Sequence, residues 1–227
     1  MTSTPAPALT QSVEDYLKVI YRLSQDGQPA TTTAIAQALA LAPPSVSGMV
    51  RRLAEQGLLA HEKYRGVALT EAGRRAALRT IRRHRVLESY LVARLGYTWD
   101  TVHDEAERLE HAVSDELVAR MAEALGHPTT DPHGDPIPDA EGHLTEEALV
   151  RLDAVPAGTL VEIRRVDICA AERLRYLGGL GVMPGAQVMV LGREPFQGPV
   201  RLAVGDERPS LGGDLAALVF CAPRDTT

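Results

Sequence analysis

The stretch Ser45–Leu69, SVSGMVRRLAEQGLLAHEKYRGVAL, decides the fold of the N-terminal part of the chain. Its first half has the apolar spacing of a helix that ends at Gly57, and its second half predicts two short strands around a turn at Tyr64-Arg65-Gly66. Two more amphipathic helices are predicted upstream, over residues 12–25 and 33–41. Three helices followed by a β-hairpin is the order of a winged helix-turn-helix.

The predicted winged helix carries residues suited to DNA. In that fold the helix after the turn enters the major groove and the wing contacts the phosphate backbone. Small hydroxyl side chains at the helix start suit phosphate or base-edge contacts, and cations suit phosphates. The candidate DNA-binding residues are Ser45, Ser47, Arg51 and Arg52 on the helix, and Lys63, Tyr64 and Arg65 on the wing. Each alone would be an ordinary surface residue, but the ordered set predicts binding to double-stranded DNA.

Charge is distributed unevenly along the 227 residues. Residues 1–85 carry 12 Lys and Arg against 6 Asp and Glu, whereas residues 86–227 carry 12 against 24. A basic module on an acidic body favours an anionic partner for the module, with solubility alone as the alternative. No apolar run has the length of a membrane span, and residues 1–11 lack the features of a signal peptide.

The two cysteines, Cys169 and Cys221, lie far apart and form no CxxC pair. This usage favours a reducing, cytoplasmic setting and argues against thiolate zinc sites. We expect each cysteine to be a small buried apolar residue.

A second pattern concerns potential metal ligands in two predicted helices, one from Thr70 to about Leu95 and one over residues 100–125. In the sequence HDEAERLEH, which begins at residue 103, four ligands fall at i, i+4, i+7 and i+8, within a sector of about 100° on one helix face. A His and a Glu in the preceding helix repeat the i, i+4 spacing, and an Asp begins the first amphipathic stretch. The candidate metal ligands are Asp15, His84, Glu88, His103, Glu107, Glu110 and His111.

These ligands divide into two predicted sites. The primary site comprises Asp15, Glu107, Glu110 and His111. Three carboxylates and one imidazole, without sulfur, favour manganese(II), with iron(II) next. The second site comprises His84, Glu88 and His103. A single His/Glu pair at i, i+4 is explained by an ordinary helix hydrogen bond, but two such pairs and an adjacent Glu-His together favour metal binding.

The C-terminal part changes character from about Val155. Short β-like runs over 158–166, 186–191, 200–204 and 218–221, with a short helix near 170–177, predict a small, mostly antiparallel β-barrel. The Pro-, Gly- and Asp-rich residues 127–145 predict an ordered loop and linker. The predicted fold class is α+β, with an N-terminal winged helix-turn-helix, a helical metal-binding and dimerisation domain, and a C-terminal small β-barrel. The expected domains are 1–73 for DNA binding, 74–145 for metal binding and dimerisation, and 146–227 for the linker plus barrel.

The ordered motifs resemble the diphtheria toxin repressor family of metal-dependent transcription regulators over nearly the whole chain. The segments that carry the resemblance are EDYLKVIY (14–21), LAEQGLL (53–59), HRVLE (84–88), HDEAERLEHAVSD (103–115) and PHGDPIP (132–138). The resemblance implies a homodimer that binds palindromic operators when loaded with metal, usually repressing metal uptake. It also implies that the C-terminal barrel is related to the small barrel of iron-transport accessory proteins.

The resemblance also bears on the choice of metal. Iron sensors of the family carry Met at the position of Asp15 and Cys at that of Glu107, so this chain is more similar to the manganese transport regulators. Lys18 stands where those regulators have a carboxylate, so that ligand is missing. His103 follows the iron-sensor pattern, which implies a hybrid second site.

In iron sensors the barrel lends ligands to the ancillary site. The matching positions here are Ala170 and Arg173, which leaves Glu172 as the substitute. Two other functions remain open: a binuclear metal-dependent hydrolase that uses the same cluster, and a winged-helix regulator of another ligand. The hydrolase would need an open coordination position and a substrate cleft, and no base or nucleophile is evident beyond the ligands. We therefore expect a regulator, not an enzyme.

Overall fold

The computed structural model describes residues 9–24, 27–62, 66–196 and 198–224. The chain divides into two compact units. The first contains Met1–Arg83 and Pro138–His143, and the second contains His84–Ile137 and Leu144–Thr227.

The first unit contains the three predicted helices and the hairpin. Its elements are α1 (Gln11–Leu23), α2 (Thr32–Ala38), α3 (Pro43–Glu55), β1 (Leu59–Glu62), β2 (Gly66–Leu69) and the beginning of α4 (Glu71–Leu95). Helix α3 begins earlier than expected because prolines occupy its first positions, where their missing N–H group costs no hydrogen bond. Helix α3 lies at an angle of 112° to helix α2, which is typical of a helix-turn-helix. No single described helix is long and apolar enough to cross a membrane. Among the described residues, α2 and α3 taken together have that length and apolar composition, but they form a bent pair.

Apolar residues at helical spacing bury one face of each helix in this unit. Val46, Val50 and Leu53 of α3 are buried, as are Leu17 and Ile20 of α1. Full burial of one such side chain contributes about 1.5–3 kcal/mol. Because these residues share one face of α3, the opposite face of that helix is left in solvent.

The hairpin is paired internally and also with the segment that precedes α2. Its antiparallel register runs from Leu59↔Leu69 to Glu62↔Gly66, and Ala30 pairs with β2 through two backbone hydrogen bonds of 2.9 Å to Val67. Gly66 has a φ of 129°, and a Cβ there would lie 2.3 Å from the carbonyl oxygen of Ala30. Only glycine fits this approach.

The start of α4 is packed against the turn that follows α3. The Thr70 hydroxyl accepts a hydrogen bond from the backbone N–H of Gly73 (3.1 Å) and donates one to the carbonyl of Gly57 (2.7 Å). A Cβ at Gly73 would lie 2.0 Å from the carbonyl oxygen of Leu58. The first turn of α4 therefore lies directly against the backbone of Gly57 and Leu58.

The second unit contains the rest of α4, two shorter helices and a sheet. The single helix expected over 100–125 is wrong, because the segment forms α5 (Val102–Leu109) and α6 (Asp115–Ala124). The break lies at Ser114, which has extended backbone angles and whose hydroxyl accepts a hydrogen bond from the N–H of Leu117. This serine is an N-cap, and an N-cap residue cannot also continue the preceding helix.

The C-terminal strands form one antiparallel sheet in the order β3-β8-β4-β5-β6-β7. The elements are β3 (Val150–Arg151), a 3₁₀ turn (Leu152–Ala154), β4 (Thr159–Val166), α7 (Ala171–Gly179), β5 (Gln187–Arg193), β6 (Val200–Ala203), β7 (Ser210–Leu211), α8 (Gly213–Ala216) and β8 (Val219–Pro223). The sheet is open, so the expected closed barrel is wrong. Both edge strands have two residues and run almost directly into the 3₁₀ turn and α8, which contact each other.

Candidate metal centre and nucleic-acid interface

The predicted DNA-binding helix presents its polar residues to solvent. Ser45, Ser47, Arg51 and Arg52 are all exposed on α3. The guanidinium of Arg51 donates to Glu55 (3.0 Å), and these side chains are 81% and 63% exposed. Such a pair contributes well under about 1 kcal/mol, so a phosphate can replace the carboxylate at little cost.

The sequence assigns the predicted wing contacts to the tip of the hairpin. Lys63, Tyr64 and Arg65 lie outside the described residues, and their role stays a prediction. The described strands β1 and β2 place the two ends of that tip side by side. The helix and the hairpin strands of the predicted DNA-binding module therefore belong to one unit.

The predicted second metal site is assembled from α4 and α5. His84 and Glu88 lie one turn apart on α4, and His103 lies on α5. His84 Nε2 is 3.0 Å from Glu88 Oε1 and 3.1 Å from His103 Nδ1, and His103 Nδ1 is 3.1 Å from Glu88 Oε1. Three donor atoms thus form a nearly equilateral triangle.

This triangle has the dimensions of a metal-binding face. Three mutually cis ligand atoms at bond lengths of about 2.1 Å lie about 3 Å apart. Two imidazole nitrogens and one carboxylate oxygen are donors that manganese(II), iron(II) and zinc(II) accept. Glu88 is 1% exposed and His84 4% exposed, so water does not compete freely for these atoms. The residues fit a divalent cation.

The residues after α5 extend this cluster. Glu110 caps the C-terminus of α5 and is fully buried. Its Oε2 is 2.6 Å from His84 Nδ1, and its Oε1 is 3.3 Å from His111 Nε2. Glu107 Oε1 is 3.8 Å from His103 Nε2. A histidine held through one nitrogen by a carboxylate presents its other nitrogen in a fixed direction, as metal-ligating histidines do.

Six of the seven predicted ligands therefore come together in the second unit. The seventh, Asp15, lies half-buried on α1 in the first unit. Its participation in the primary site stays a prediction.

The electrostatics of the cluster favour positive charge. Burial raises the pKa of Glu88, but the neighbouring imidazoles outweigh burial and hold that pKa well below its usual range. Burial lowers the pKa of His103, whereas Cys169 and Glu88 act in the opposite direction and raise it to about 10. Carboxylates and imidazoles that stabilise each other's charged forms in this way mark a pocket in which a cation is favourable.

Two further buried residues were missed by sequence reasoning, which treated residues 127–145 only as a loop and linker. Asp131 and His133 are 7% and 5% exposed. His133 Nε2 is 2.7 Å from the carbonyl oxygen of Trp99, and His133 Nδ1 is 3.6 Å from Glu88 Oε2. The available signal was the spacing Asp-Pro-His-Gly-Asp, which concentrates three potential ligands in five residues.

These two residues also have shifted pKa values. Burial, together with the negative charges of Asp135 and Glu88, raises the pKa of Asp131 to about 7. Burial lowers the pKa of His133, but Glu88 and Asp131 outweigh it and raise that pKa to about 9. The neighbouring carboxylates thus act to raise both pKa values, in addition to burial for Asp131 and against it for His133.

The C-terminal region brings a cysteine, not the expected glutamate, to the cluster. Glu172 is exposed on α7 and belongs to none of the donor groups among the described residues. The thiol of Cys169 interacts with His103. The expectation that both cysteines are buried is wrong for Cys169, which is exposed, and correct for Cys221.

A winged helix with a basic exposed face, in one chain with a buried His/carboxylate cluster, defines a metal-dependent DNA-binding regulator. Family models match residues 8–67 (iron dependent repressor, N-terminal DNA binding domain), 70–139 (iron dependent repressor, metal binding and dimerisation domain) and 150–223 (FeoA domain). The chain belongs to the iron-dependent repressor family of transcriptional regulators, which are not enzymes. The hydrolase alternative has no support among these relatives.

Individual relatives agree with this assignment. The chain is 35% identical over 226 residues to the iron-dependent repressor IdeR of Mycobacterium tuberculosis strain H37Rv, covering 93% of this chain and 96% of the relative. A solved manganese-dependent transcriptional repressor in complex with manganese has 40% identity and a TM-score of 0.87, covering 93% of this chain and all of the other. ScaR with bound Cd²⁺ has 33% identity and a TM-score of 0.81, covering 92% and 98% of the two chains.

Proposed function

We propose that the protein is a manganese(II)-dependent repressor of metal-uptake genes, with iron(II) as the second candidate metal. It acts in the cytoplasm as a homodimer on a palindromic operator. Its domains are residues 1–73 for DNA binding, 74–145 for metal binding and dimerisation, and 146–227 for the linker and C-terminal sheet. The observation that carries metal dependence is the triangle of His84, Glu88 and His103 donor atoms with edges of 3.0–3.1 Å.

The primary site is proposed to consist of Asp15, Glu107, Glu110 and His111, and the second site of His84, Glu88 and His103. The oxygen-rich primary set supports manganese(II), because a harder cation prefers carboxylates and no sulfur ligand is included. Glu110 supports coupling of the two sites, since its two oxygens face His84 and His111.

DNA binding is proposed to depend on metal through a shift in population. Asp15 belongs to the DNA-binding domain, whereas the other primary ligands belong to α5 and the turn that follows it. Carboxylates gathered without compensation repel one another, and a bound cation supplies the positive charge that offsets this repulsion. The free-energy difference between metal affinities in the two states sets how far the DNA-binding state is favoured.

Operator retardation by purified variants tests the primary site. We expect Asp15→Ala and Glu107→Ala to fold and dimerise but to lose manganese-dependent retardation. Asp104→Ala is the matched control, because it removes an exposed carboxylate from the same helix as Glu107. Metal-dependent retardation that survives in both site variants would exclude this ligand set.

The metal itself is tested by titration of wild-type operator binding with manganese, iron, cobalt and zinc under anaerobic conditions. We expect manganese to activate operator binding at free metal concentrations that are reached inside cells. Equal activation by an unrelated small ligand, without any metal, would favour the other class of winged-helix regulator.

A further inference from the structure

The carboxylate of Glu88 has one oxygen that the second metal site does not use. Oε1 faces His84 and His103, as described above. Oε2 is buried and has no hydrogen-bond partner among the described residues. An ionised carboxylate oxygen that is left unsatisfied in the interior is costly, so this atom calls for a ligand.

His133 directs its Nδ1 towards this oxygen. A carbonyl can only accept, so the 2.7 Å contact with the Trp99 carbonyl oxygen places a proton on His133 Nε2. Nδ1 is then the ring nitrogen that remains for a ligand, and a cation binds there in place of a proton. This nitrogen lies 3.6 Å from Glu88 Oε2, which is beyond hydrogen-bond distance but suits two ligands of one ion with bonds of about 2.1 Å.

Asp131 completes a buried donor set. Its Oδ1 accepts hydrogen bonds from the backbone N–H groups of His133 (2.8 Å) and Asp135 (3.0 Å), which fix the carboxylate. One ligand atom from each of Glu88, Asp131 and His133 lies within 4.8 Å of the others. Orientation of a histidine by a carbonyl and of a carboxylate by N–H groups is the support that metal ligands usually have.

The guanidinium beside this group, that of Arg85, does not neutralise it. Arg85 is 3.7 Å from Asp131 Oδ2 and 3.3 Å from Asp135 Oδ1, so its single charge is shared between two carboxylates. The charge of Glu88 is then compensated by the neighbouring imidazoles and not by Arg85. A divalent cation between Glu88 and His133 would supply the positive charge that a proton on His133 otherwise provides.

We propose that Glu88 Oε2, His133 Nδ1 and Asp131 form a third site for a divalent cation, and that Glu88 bridges it to the second site. The occupant is a cation that accepts mixed nitrogen and oxygen ligands, such as manganese(II) or zinc(II). Two ions bridged in this way lie about 3.5–4 Å apart. The inference shares Glu88 with the proposed second site, and the test therefore separates the two.

The first measurement is bound manganese per chain, by equilibrium dialysis and elemental analysis of the full-length protein. We expect His133→Gln, whose amide can still donate to the Trp99 carbonyl, to bind one ion fewer than wild type. His143→Gln is the matched control, since the His143 side chain is 78% exposed and pairs with Asp139. Equal stoichiometry of His133→Gln and wild type overturns the third site.

A His84→Ala variant distinguishes failure of the two proposals. Loss of an ion in His84→Ala but not in His133→Gln retains the second site and overturns the third. Loss in neither variant overturns both. Exchange broadening of the manganese paramagnetic resonance in wild type, absent in His133→Gln, supports the Glu88 bridge.

A measurement on the wild-type protein keeps the inference testable if the variant fails to fold. In crystals grown with manganese, anomalous scattering should give a peak within bonding distance of both Glu88 Oε2 and His133 Nδ1. A fully occupied second site without that peak overturns the proposal.

Discussion

Gly134 is the residue on which the position of the His133 loop depends most directly. Its φ of +86° lies in the left-handed region, and a Cβ there would be 1.8 Å from the carbonyl oxygen of Arg164 in β4. That is 1.2 Å short of the 3.0 Å that a real Cβ contact requires. Gly134→Ala therefore forces the loop away from the sheet.

The expected cost follows from what must move. The left-handed backbone alone costs an alanine about 1 kcal/mol. Displacement of the loop also breaks the hydrogen bonds from Val166 N to His133 O (2.9 Å) and from Gly134 N to Asp131 O (3.0 Å), each contributing about 1 kcal/mol. We expect Gly134→Ala to destabilise the second unit by about 3 kcal/mol.

Gly185→Ala provides the matched control. Gly185 has a φ of +88°, and a Cβ there would meet nothing within 4 Å. This variant carries the backbone strain without the collision, so we expect a cost of about 1 kcal/mol. The difference between the two variants, about 2 kcal/mol, measures the collision alone.

Urea unfolding followed by the fluorescence of Trp99, the single tryptophan, reports this region. The Trp99 ring stacks on His133 at 6.0 Å between centroids and packs against the core of the sheet. With a slope of about 2 kcal/mol per molar urea, the two variants should differ in midpoint by about 1 M. Equal midpoints would refute the reasoning, because the collision would then cost nothing.

Three further predictions concern other parts of the chain. Arg51→Ala should weaken operator binding at all sequences and, with two copies in a dimer, lower the slope of log affinity against log salt by about 2, whereas Arg120→Ala on α6 should leave it unchanged. Gly73→Ala should lower the free energy of unfolding by about 2–3 kcal/mol in thermal melts, because its Cβ would strike a backbone carbonyl. In the native protein Cys169, which is exposed, should react with a thiol reagent, whereas Cys221, buried and with its pKa raised to about 11, should react only on unfolding.

Local patterns predicted most of the helices and strands. The spacing of Val46, Val50 and Leu53 fixes the buried face of α3, and Gly57 (φ +73°) ends that helix as expected. Thr31 caps α2 through its side chain. These features depend on residues within one or two turns of each other, so periodicity and capping chemistry suffice.

The features that were not predicted depend on distant parts of the chain or on two overlapping sequence patterns. Apolar periodicity ran through residues 110–114 and concealed the N-cap at Ser114, although Asp115 and Glu116 in the following turn were available as a signal. Closure of the sheet depends on its two edge strands, which have two residues each and leave no periodic pattern. Asp131 and His133 read as loop residues because their burial depends on elements more than thirty residues away.

The donor cluster and the sheet are connected through that loop. Strand β4 is an inner strand of the sheet, paired on one side with β8 and on the other with β5. The backbone of His133 is bonded to β4, and Gly134 approaches β4 too closely for any side chain. The sheet therefore fixes the direction in which His133 points at Glu88, so we expect a substitution in β4 to disturb the proposed third site without touching a ligand. The C-terminal sheet thus positions His133 through its backbone, whereas Glu172 on α7, the expected ligand, is exposed.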